Sequence, residues 1–447
     1  MPLSGIQIYK LLPKTNCKDC GLPTCLAFAM KLAGKQIELS ACPHVNAEAK
    51  VQLADAAEPP VRLITLKAAS REVKSGNETV LFRHEKTFYN KPGMFLRVRD
   101  DESIADIQTK VTAADEYTVR YVGMDLALDG FVVQSAAPSD PTRYANAVSA
   151  VRAKSQRPLI LSTFDAAVMA AGLHVIPGER PLLHGADTNN WEAMAELAKQ
   201  HGAALVACAE KLDDLVNLTG KLKAKGVDDL VLDPVNRQLG AALTRQTQMR
   251  RMALRKDFRP LGYPIIAFPG DADDSALEAM QAAQAITKYA GFIVLDRFTP
   301  GMVYPLLVLR ENIYTDPQKP IQVLPGLYEI NNPKPDDPVL VTTNFSITYF
   351  SVANEVEGAG LPAWLLIVDA EGMSVLTAWA AGKFDAERIA KAVKESGIAN
   401  KLTKRRLVMP GHTAVLSGEL EEELPNWEVR VGPREAVDLP AFMKQVL

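Results

Sequence analysis

Four of the five cysteines fall within the first 42 residues, as Cys17, Cys20, Cys25 and Cys42 in TNCKDCGLPTCLAFAM…SACPHV, spaced C-x2-C-x4-C-x16-C with a proline directly after the last. A segment this short cannot build a stable core from side-chain packing alone, and metal binding would supply what is missing. Iron–sulfur clusters take four cysteine thiolates, and a short-spaced group completed by a distant Cys-Pro is one way to provide them. The spacing therefore predicts a 4Fe–4S cluster and electron transfer. Structural zinc more often shows two separated C-x2-C pairs, or one pair with two histidines. Here a single His44 stands beside Cys42, so zinc is the alternative. Two disulfides in one corner of a 447-residue chain that opens MPLSGIQIYK, without the pattern of a secretory signal, are the third reading.

Composition narrows the rest. The chain is 47% hydrophobic and 23% charged, ordinary for a water-soluble globular protein of two to four domains. A net charge of −3, with only short basic pieces such as Lys404-Arg405-Arg406, speaks against a nucleic-acid binder. No apolar run reaches membrane-spanning length, and thiols kept for metal predict a cytoplasmic location. Cys208, at the end of the apolar run AALVAC, reads as a buried small hydrophobe.

Three domains are expected, over 1–57, 58–325 and 326–447. In the first, CLAFAMKLAGKQIELSACP is helical with Leu26, Ala29, Met30 and Ala33 on one face. The stretch AEAKVQLADAAEPPVRL, with its Pro59-Pro60 step, is the exit linker. The second alternates apolar runs with amphipathic helices. Its candidate strands are 79–82 (TVLF), 130–134, 158–162, 181–185, 204–208, 230–234, 265–269 and 292–296. Near-continuous apolar strands are buried on both faces, hence parallel, and eight such units in roughly 250 residues predict a (β/α)8 TIM barrel. Its strand ends carry Asp187, Asp233, Asn236, Asp271, Asp273 and Asp296, read mostly as helix caps. The barrel is expected to be a docking scaffold.

EINNPKPDDP (329–338) reads as a hinge into the third domain, whose candidate strands are 339–343, 363–369, 406–411 and 427–433. The βαβα order predicts a doubly wound, Rossmann-like parallel sheet, which binds ligands where strand ends lead into helices. The loops there hold Thr343, Asn344 and Ser346, then Ala370, Glu371, Gly372, Met373 and Ser374, then Gly411 with His412, then Gly432 and Pro433. They are small, hydroxyl-bearing and glycine-containing, suited to a large planar ligand. Thr343, Ser346 and Ser374 are also helix-cap candidates, and Gly372 and Gly411 turn glycines.

The opening PLSGIQIYKLLPKTNCKDCGLPTCLAFAMKLAGKQIELSACPHV, and the order of cysteine domain, barrel and α/β domain over the whole chain, resemble the large subunits of the corrinoid iron–sulfur proteins of the acetyl-CoA (Wood–Ljungdahl) pathway. The resemblance implies that Cys17, Cys20, Cys25 and Cys42 hold a 4Fe–4S cluster. It also implies a cobalamin-type corrinoid among the loops 343–348, 370–377, 410–413 and 432–436, with Thr343, Asn344, Ser346, Thr348, Ala370, Glu371, Gly372, Met373, Ser374, Thr377, Gly411, Gly432, Pro433 and Ala436 as its contacts. Many cobalamin domains of this fold use Asp-x-His-x-x-Gly, and no such motif occurs here, which implies a base-off corrinoid without a histidine ligand.

The implied activity is of the methyltransferase class with no catalytic side chain. A methyl group would be accepted from methyltetrahydrofolate on a separate methyltransferase, carried on cobalt, and delivered to acetyl-CoA synthase. The cluster would return an electron to oxidised cobalt. The implied partners are the small subunit of a heterodimer, that methyltransferase, acetyl-CoA synthase and a reductive activator. Two competitors are a pterin-dependent methyltransferase using the barrel itself, and an iron–sulfur electron carrier binding a flavin on its third domain.

Overall fold

The computed structural model describes residues 5–33, 37, 39–46, 49, 59–69, 71–85, 87–316 and 321–446. Most of the expected exit linker, residues 47, 48 and 50–58, lies outside them. The chain forms two compact units, Met1–Thr118 with Ala127–Tyr314, and Val119–Leu126 with Thr315–Leu447.

In the first unit, helices Gly5–Leu11 and Cys25–Ala33 form a small pair. The second helix buries Cys25, Phe28, Ala29 and Leu32, whereas Leu26 and Met30 are exposed. The expected face over Leu26, Ala29, Met30 and Ala33 is thus rotated by one position. Cys25 must face inward, and its i+3, i+4 and i+7 neighbours follow it.

Eight parallel strands close into a barrel in chain order: β3 (Gly93–Arg99), β6 (Gly130–Gln134), β7 (Leu159–Ser162), β8 (Leu182–Ala186), β9 (Ala204–Cys208), β10 (Leu230–Asp233), β11 (Ile265–Ala267) and β12 (Ala290–Leu295). Phe95, Val132, Ile160, Leu182, Val206, Val231 and Phe292 fill the interior. The antiparallel hairpin of β1 (Ile64–Ala68) and β2 (Arg71–Ser75) adds Ile64, Leu66 and Val73 to the same core. Burying Ile64 and Leu66 stabilises the fold by about 1.5–3 kcal/mol each.

Seven of the eight expected barrel strands are present. TVLF at 79–82 is not a strand; Leu81 instead packs beside Phe88 and Tyr289 in a satellite cluster. The missing strand is β3, GMFLRVR, whose Arg97 and Arg99 disguise it. Arg97 is nonetheless buried, paired with Asp271 and Asp296.

The second unit is a five-stranded sheet in the order β13 (Gly326–Ile330), β15 (Ala363–Val368), β14 (Val339–Thr343), β16 (Arg406–Met409), β17 (Glu428–Val431). β13 is antiparallel to β15 and the other pairs are parallel. Apolar clusters cover both faces: Val341, Leu366, Phe384 and Ile389 on one, Leu340, Leu365, Val356 and Leu439 on the other.

The stretch 329–338, expected as a hinge into the third domain, lies inside the second unit: its first two residues end β13, Asn331 Nδ2 donates to the Leu361 carbonyl at 2.9 Å, and Lys334 O accepts from Trp364 Nε1 at 3.2 Å. The hairpin of β4 (Val119–Tyr121) and β5 (Met124–Leu126), which sequence reading missed, also belongs to this unit. Leu324 N donates to Val122 O at 3.1 Å, and Tyr121 packs on Phe350. The polypeptide therefore passes between units three times, after Thr118, Leu126 and Tyr314.

Candidate functional sites

The cysteine loop runs between the two N-terminal helices. Lys14, Asn16 and Lys18 adopt φ of 59°, 49° and 68°, and Gly21 76°. Such alternation wraps backbone N–H groups around a concavity suited to a negatively charged group. Asn16 Oδ1 accepts from Cys25 N at 2.8 Å and Thr24 Oγ1 from Ala27 N at 3.0 Å, so both ends of the loop are tied to the second helix. Cys25 and Cys42 are buried beside Ile8, Leu12, Phe28 and Val45, Cys20 is half-buried and Cys17 exposed. All four are free thiols in this structure.

His44 Nε2 lies 2.5 Å from Asp19 Oδ2. Hydrogen bonds from His44 and then Cys17 hold the Asp19 carboxyl below the usual range. His44 is thereby engaged by a carboxylate at the exposed edge of the loop, where the ligand atoms of Cys17, Asp19 and His44 lie within 4.8 Å of one another. A set of four soft sulfur donors fits an iron–sulfur cluster.

The second site lies at the carboxyl ends of the C-terminal sheet. β14 connects onward to β15 on one side, while β16 flanks it on the other, so the order of the chain reverses between β14 and β16. Their pairing stops at Leu340↔Val408, and beyond it a cavity of about 270 Å3 opens. Leu340, Val352, Val408 and Leu439 give it an apolar floor, and Ser374, His412 and Arg434 stand among its polar walls. Thr342 lines it, and the Thr342 and Thr343 hydroxyls are buried with no hydrogen-bond partner among the described residues. An unpaired buried hydroxyl costs about 1–3 kcal/mol, so Thr342 at the wall is poised for a ligand's polar group.

Backbone approach closes the far side. A Cβ on Gly411 would come within 2.5 Å of Gly432 O, so glycine is needed where these two loops touch. Gly411 N donates to Pro433 O at 3.0 Å.

Of the expected contacts, Thr348, Ser374, Gly432, Pro433 and Ala436 line the cavity. The others lie behind or beside it. Asn344 is a bracket: its Oδ1 accepts from Ala370 N and Gly372 N, both at 2.9 Å, and its Nδ2 donates to Asp369 at 3.1 Å. Ala370 is core, Met373 packs against the core, and Thr343 is fully buried. Glu371 (φ 54°) pairs with Lys383 at 2.7 Å, and Gly372 holds φ +72° against Gln322. Thr377 bonds Ser374 at 3.0 Å. Ser346 begins the helix Ser346–Gly358, capped by Phe345 without a side-chain bond.

Sequence reasoning placed Thr342 and Ile347 in the strand-end loop without making them contacts, and missed Ser351 and Val352. Their signal was the i, i+4 pairing of Ile347 with Ser351 and of Thr348 with Val352 on one helix face. His412 is exposed, lines the cavity and lies 3.7 Å from Glu435.

The barrel strand ends also differ from expectation. Asp233, Asp271 and Asp296 are not helix caps; they converge on Arg97 and Arg237. Cys208 is buried, as expected.

The model of the CO dehydrogenase/acetyl-CoA synthase delta subunit family matches residues 63–443, and that of a putative Fe-S cluster domain matches residues 12–44. The chain is 43% identical to the corrinoid/iron-sulfur protein large subunit of Moorella thermoacetica, over 99% of each chain. It is 36% identical to the acetyl-CoA decarbonylase/synthase complex subunit gamma of Methanopyrus kandleri, over 99% of this chain and 98% of that one. The Archaeoglobus fulgidus subunit gamma is 34% identical over the same shares.

Proposed function

The chain belongs to the family of corrinoid/iron–sulfur protein large (gamma) subunits, and from that premise we propose that it is a methyl carrier with a 4Fe–4S cluster at one site and a base-off corrinoid at the other. The observation that carries the proposal is an open cavity with an unpartnered Thr342 hydroxyl at the sheet's reversal point, in a chain that also gathers four free thiols in one loop.

Cys17, Cys20, Cys25 and Cys42 hold the cluster. Cys25 and Cys42 are fixed by the core around them and Cys17 faces the solvent side, where an electron donor reaches it. Leu340, Val408 and Leu439 keep water from the cavity floor, Thr342 donates or accepts one hydrogen bond there, and the Gly411–Gly432 contact shapes the wall. Asn344 holds the Ala370–Gly372 loop in place, so the expected contacts that do not line the cavity act by positioning it. When bound, the corrinoid supplies a cobalt centre that takes up and gives away a methyl group, and the cluster supplies single electrons.

No side-chain acid or nucleophile of this unit is needed. His412 faces Glu435 on the cavity wall rather than standing alone as a donor, which suits a corrinoid without a histidine ligand. Ile347 and Leu376, which line the cavity, are 65% and 47% exposed, leaving an apolar rim for protein partners. Those partners are a small subunit, a methyltetrahydrofolate methyltransferase as donor, acetyl-CoA synthase as acceptor and a reductive activator.

Anaerobic reconstitution of the full chain with iron, sulfide and cobalamin tests the reading. About four irons and one cobalt per chain, with a base-off spectrum, are expected. Cys20→Ala should leave methyl transfer from freshly reduced protein intact and abolish its recovery after oxidation. Zinc retained without iron, a bound flavin, or loss of transfer itself in the variant would refute the assignment.

A further inference from the structure

The barrel mouth holds a cavity of about 750 Å3 at the carboxyl ends of the strands, the face on which barrel enzymes place their chemistry. Ser162, His184 and Asp233 all line it, from β7, β8 and β10. Ser162 Oγ lies 2.9 Å from His184 Nδ1, and His184 Nε2 lies 3.0 Å from Asp233 Oδ2. We propose that this mouth is a second reactive centre, an acyl-transfer site in which Ser162 is the nucleophile, His184 the general base and Asp233 a positioning carboxylate. It is independent of the methyl-carrier reading.

Proton placement follows from the partners. Asp233 accepts from both terminal nitrogens of Arg237, at 2.9 and 2.8 Å, and from Val235 N at 2.8 Å. So clamped, Asp233 is ionised and can only accept, and the proton between it and His184 sits on Nε2. Nδ1 is then bare and faces the Ser162 hydroxyl, which must donate to it. The two ring nitrogens exchange places relative to the chymotrypsin arrangement, but the chemistry asks only that a bare nitrogen meet the hydroxyl.

The walls fit a small neutral acyl group. Arg97 is spent on Asp271, Asp296, Gln134 and the Gly270 carbonyl, and Arg237 on Asp233 and Asp271, so no guanidinium is left for an anion. Phe164 is 53% exposed beside the His184 ring and offers an apolar wall. Asp165 caps the helix Ala166–Val175 through Ala167 N and Val168 N. Ala166, the first residue of that helix, also lines the cavity.

In the reaction, Ser162 Oγ bonds to the carbonyl carbon of an ester while its proton passes to His184 Nδ1. The ester C–O bond breaks, and the leaving alcohol takes that proton. Water then repeats the sequence on the acyl-serine, giving the acid and restoring the hydroxyl.

The test is a fluorophosphonate probe and p-nitrophenyl acetate, applied to the full-length protein. One label per chain on Ser162, read by peptide mass, with ester hydrolysis lost in Ser162→Ala, is expected; His184→Gln should slow hydrolysis about a hundredfold. The labelling of the unmodified protein decides the matter even where a variant fails to fold. No labelling of the native chain, or a label that persists in a folded Ser162→Ala variant, overturns the proposal.

Discussion

Two cavities in this molecule lie at the carboxyl ends of parallel strands, yet they are finished in opposite ways. In the barrel mouth each charge is answered from within: Arg97, Asp271, Asp296, Arg237, Asp233 and His184 form one connected network. In the C-terminal cavity the floor is apolar, glycines bring backbones together, and Thr342 is left with an unanswered hydroxyl. A site complete in the empty protein is preorganised by its own side chains; a site with a missing partner is shaped for a resident ligand. Substitutions in the charged network of the first should therefore act on folding as well as on the chemistry proposed there, and those in the second on cofactor retention.

The largest effect is expected at Asp233. Replacing it with Asn leaves Arg237 facing an amide in a buried setting, and breaking one partner of such a pair costs about 3–5 kcal/mol, readable as a lowered Tm. Burial pushes the Asp233 carboxyl up, but the hydrogen bonds from Arg237 and His184, with the charge of Arg237, outweigh it and hold it below the ordinary range. A group depressed in the folded state contributes stability above its unfolded value of about 3.9, and loses it as pH falls further. The native chain should thus lose stability below about pH 4 with a steeper slope than Asp233→Asn. Equal acid slopes, or a costless variant, would mean the barrel mouth is not a closed network.

Next comes Asn344→Ala. It strands the N–H groups of Ala370 and Gly372, at about 2 kcal/mol, and loosens the loop beside the cavity. Both a lowered Tm and weaker corrinoid retention are expected. Loss of retention with no change in melting would instead make Asn344 a direct contact.

How far these sites were readable from sequence follows from the kind of signal each carries. The cysteine quartet is legible because four thiols at short spacing have few other uses. Seven barrel strands announce themselves as continuous apolar runs, whereas β3 does not, because Arg97 points into a polar mouth that only the closed barrel creates. Asp271 and Asp296 look like caps for the same reason: their partner sits on β3, 174 and 199 residues away in sequence. In the C-terminal unit the loops were placed correctly at the strand ends, but the cavity enters between β14 and β16, so residues of the helix Ser346–Gly358 line it where Ala370 and Met373 do not. The edge strand β13 was hidden by the prolines that follow it. Long-range pairing, not local propensity, decides all of these.

The smallest effect is the most discriminating. Thr342→Val replaces a hydroxyl with a methyl group of nearly the same shape. If the hydroxyl serves only the folded chain, the change should be neutral or destabilising. In the empty protein, however, that hydroxyl is buried without a partner, so removing it relieves a desolvation cost, and the ligand-free variant should melt at or slightly above the native temperature. With a corrinoid present the sign reverses. The variant forfeits one hydrogen bond worth about 1 kcal/mol, and retention of cobalamin in equilibrium dialysis should weaken about fivefold. Opposite signs in the two measurements are what a wall residue awaiting a ligand produces. The same sign in both would place Thr342 with the self-sufficient side chains of the barrel mouth, and the contrast between the two cavities would fall.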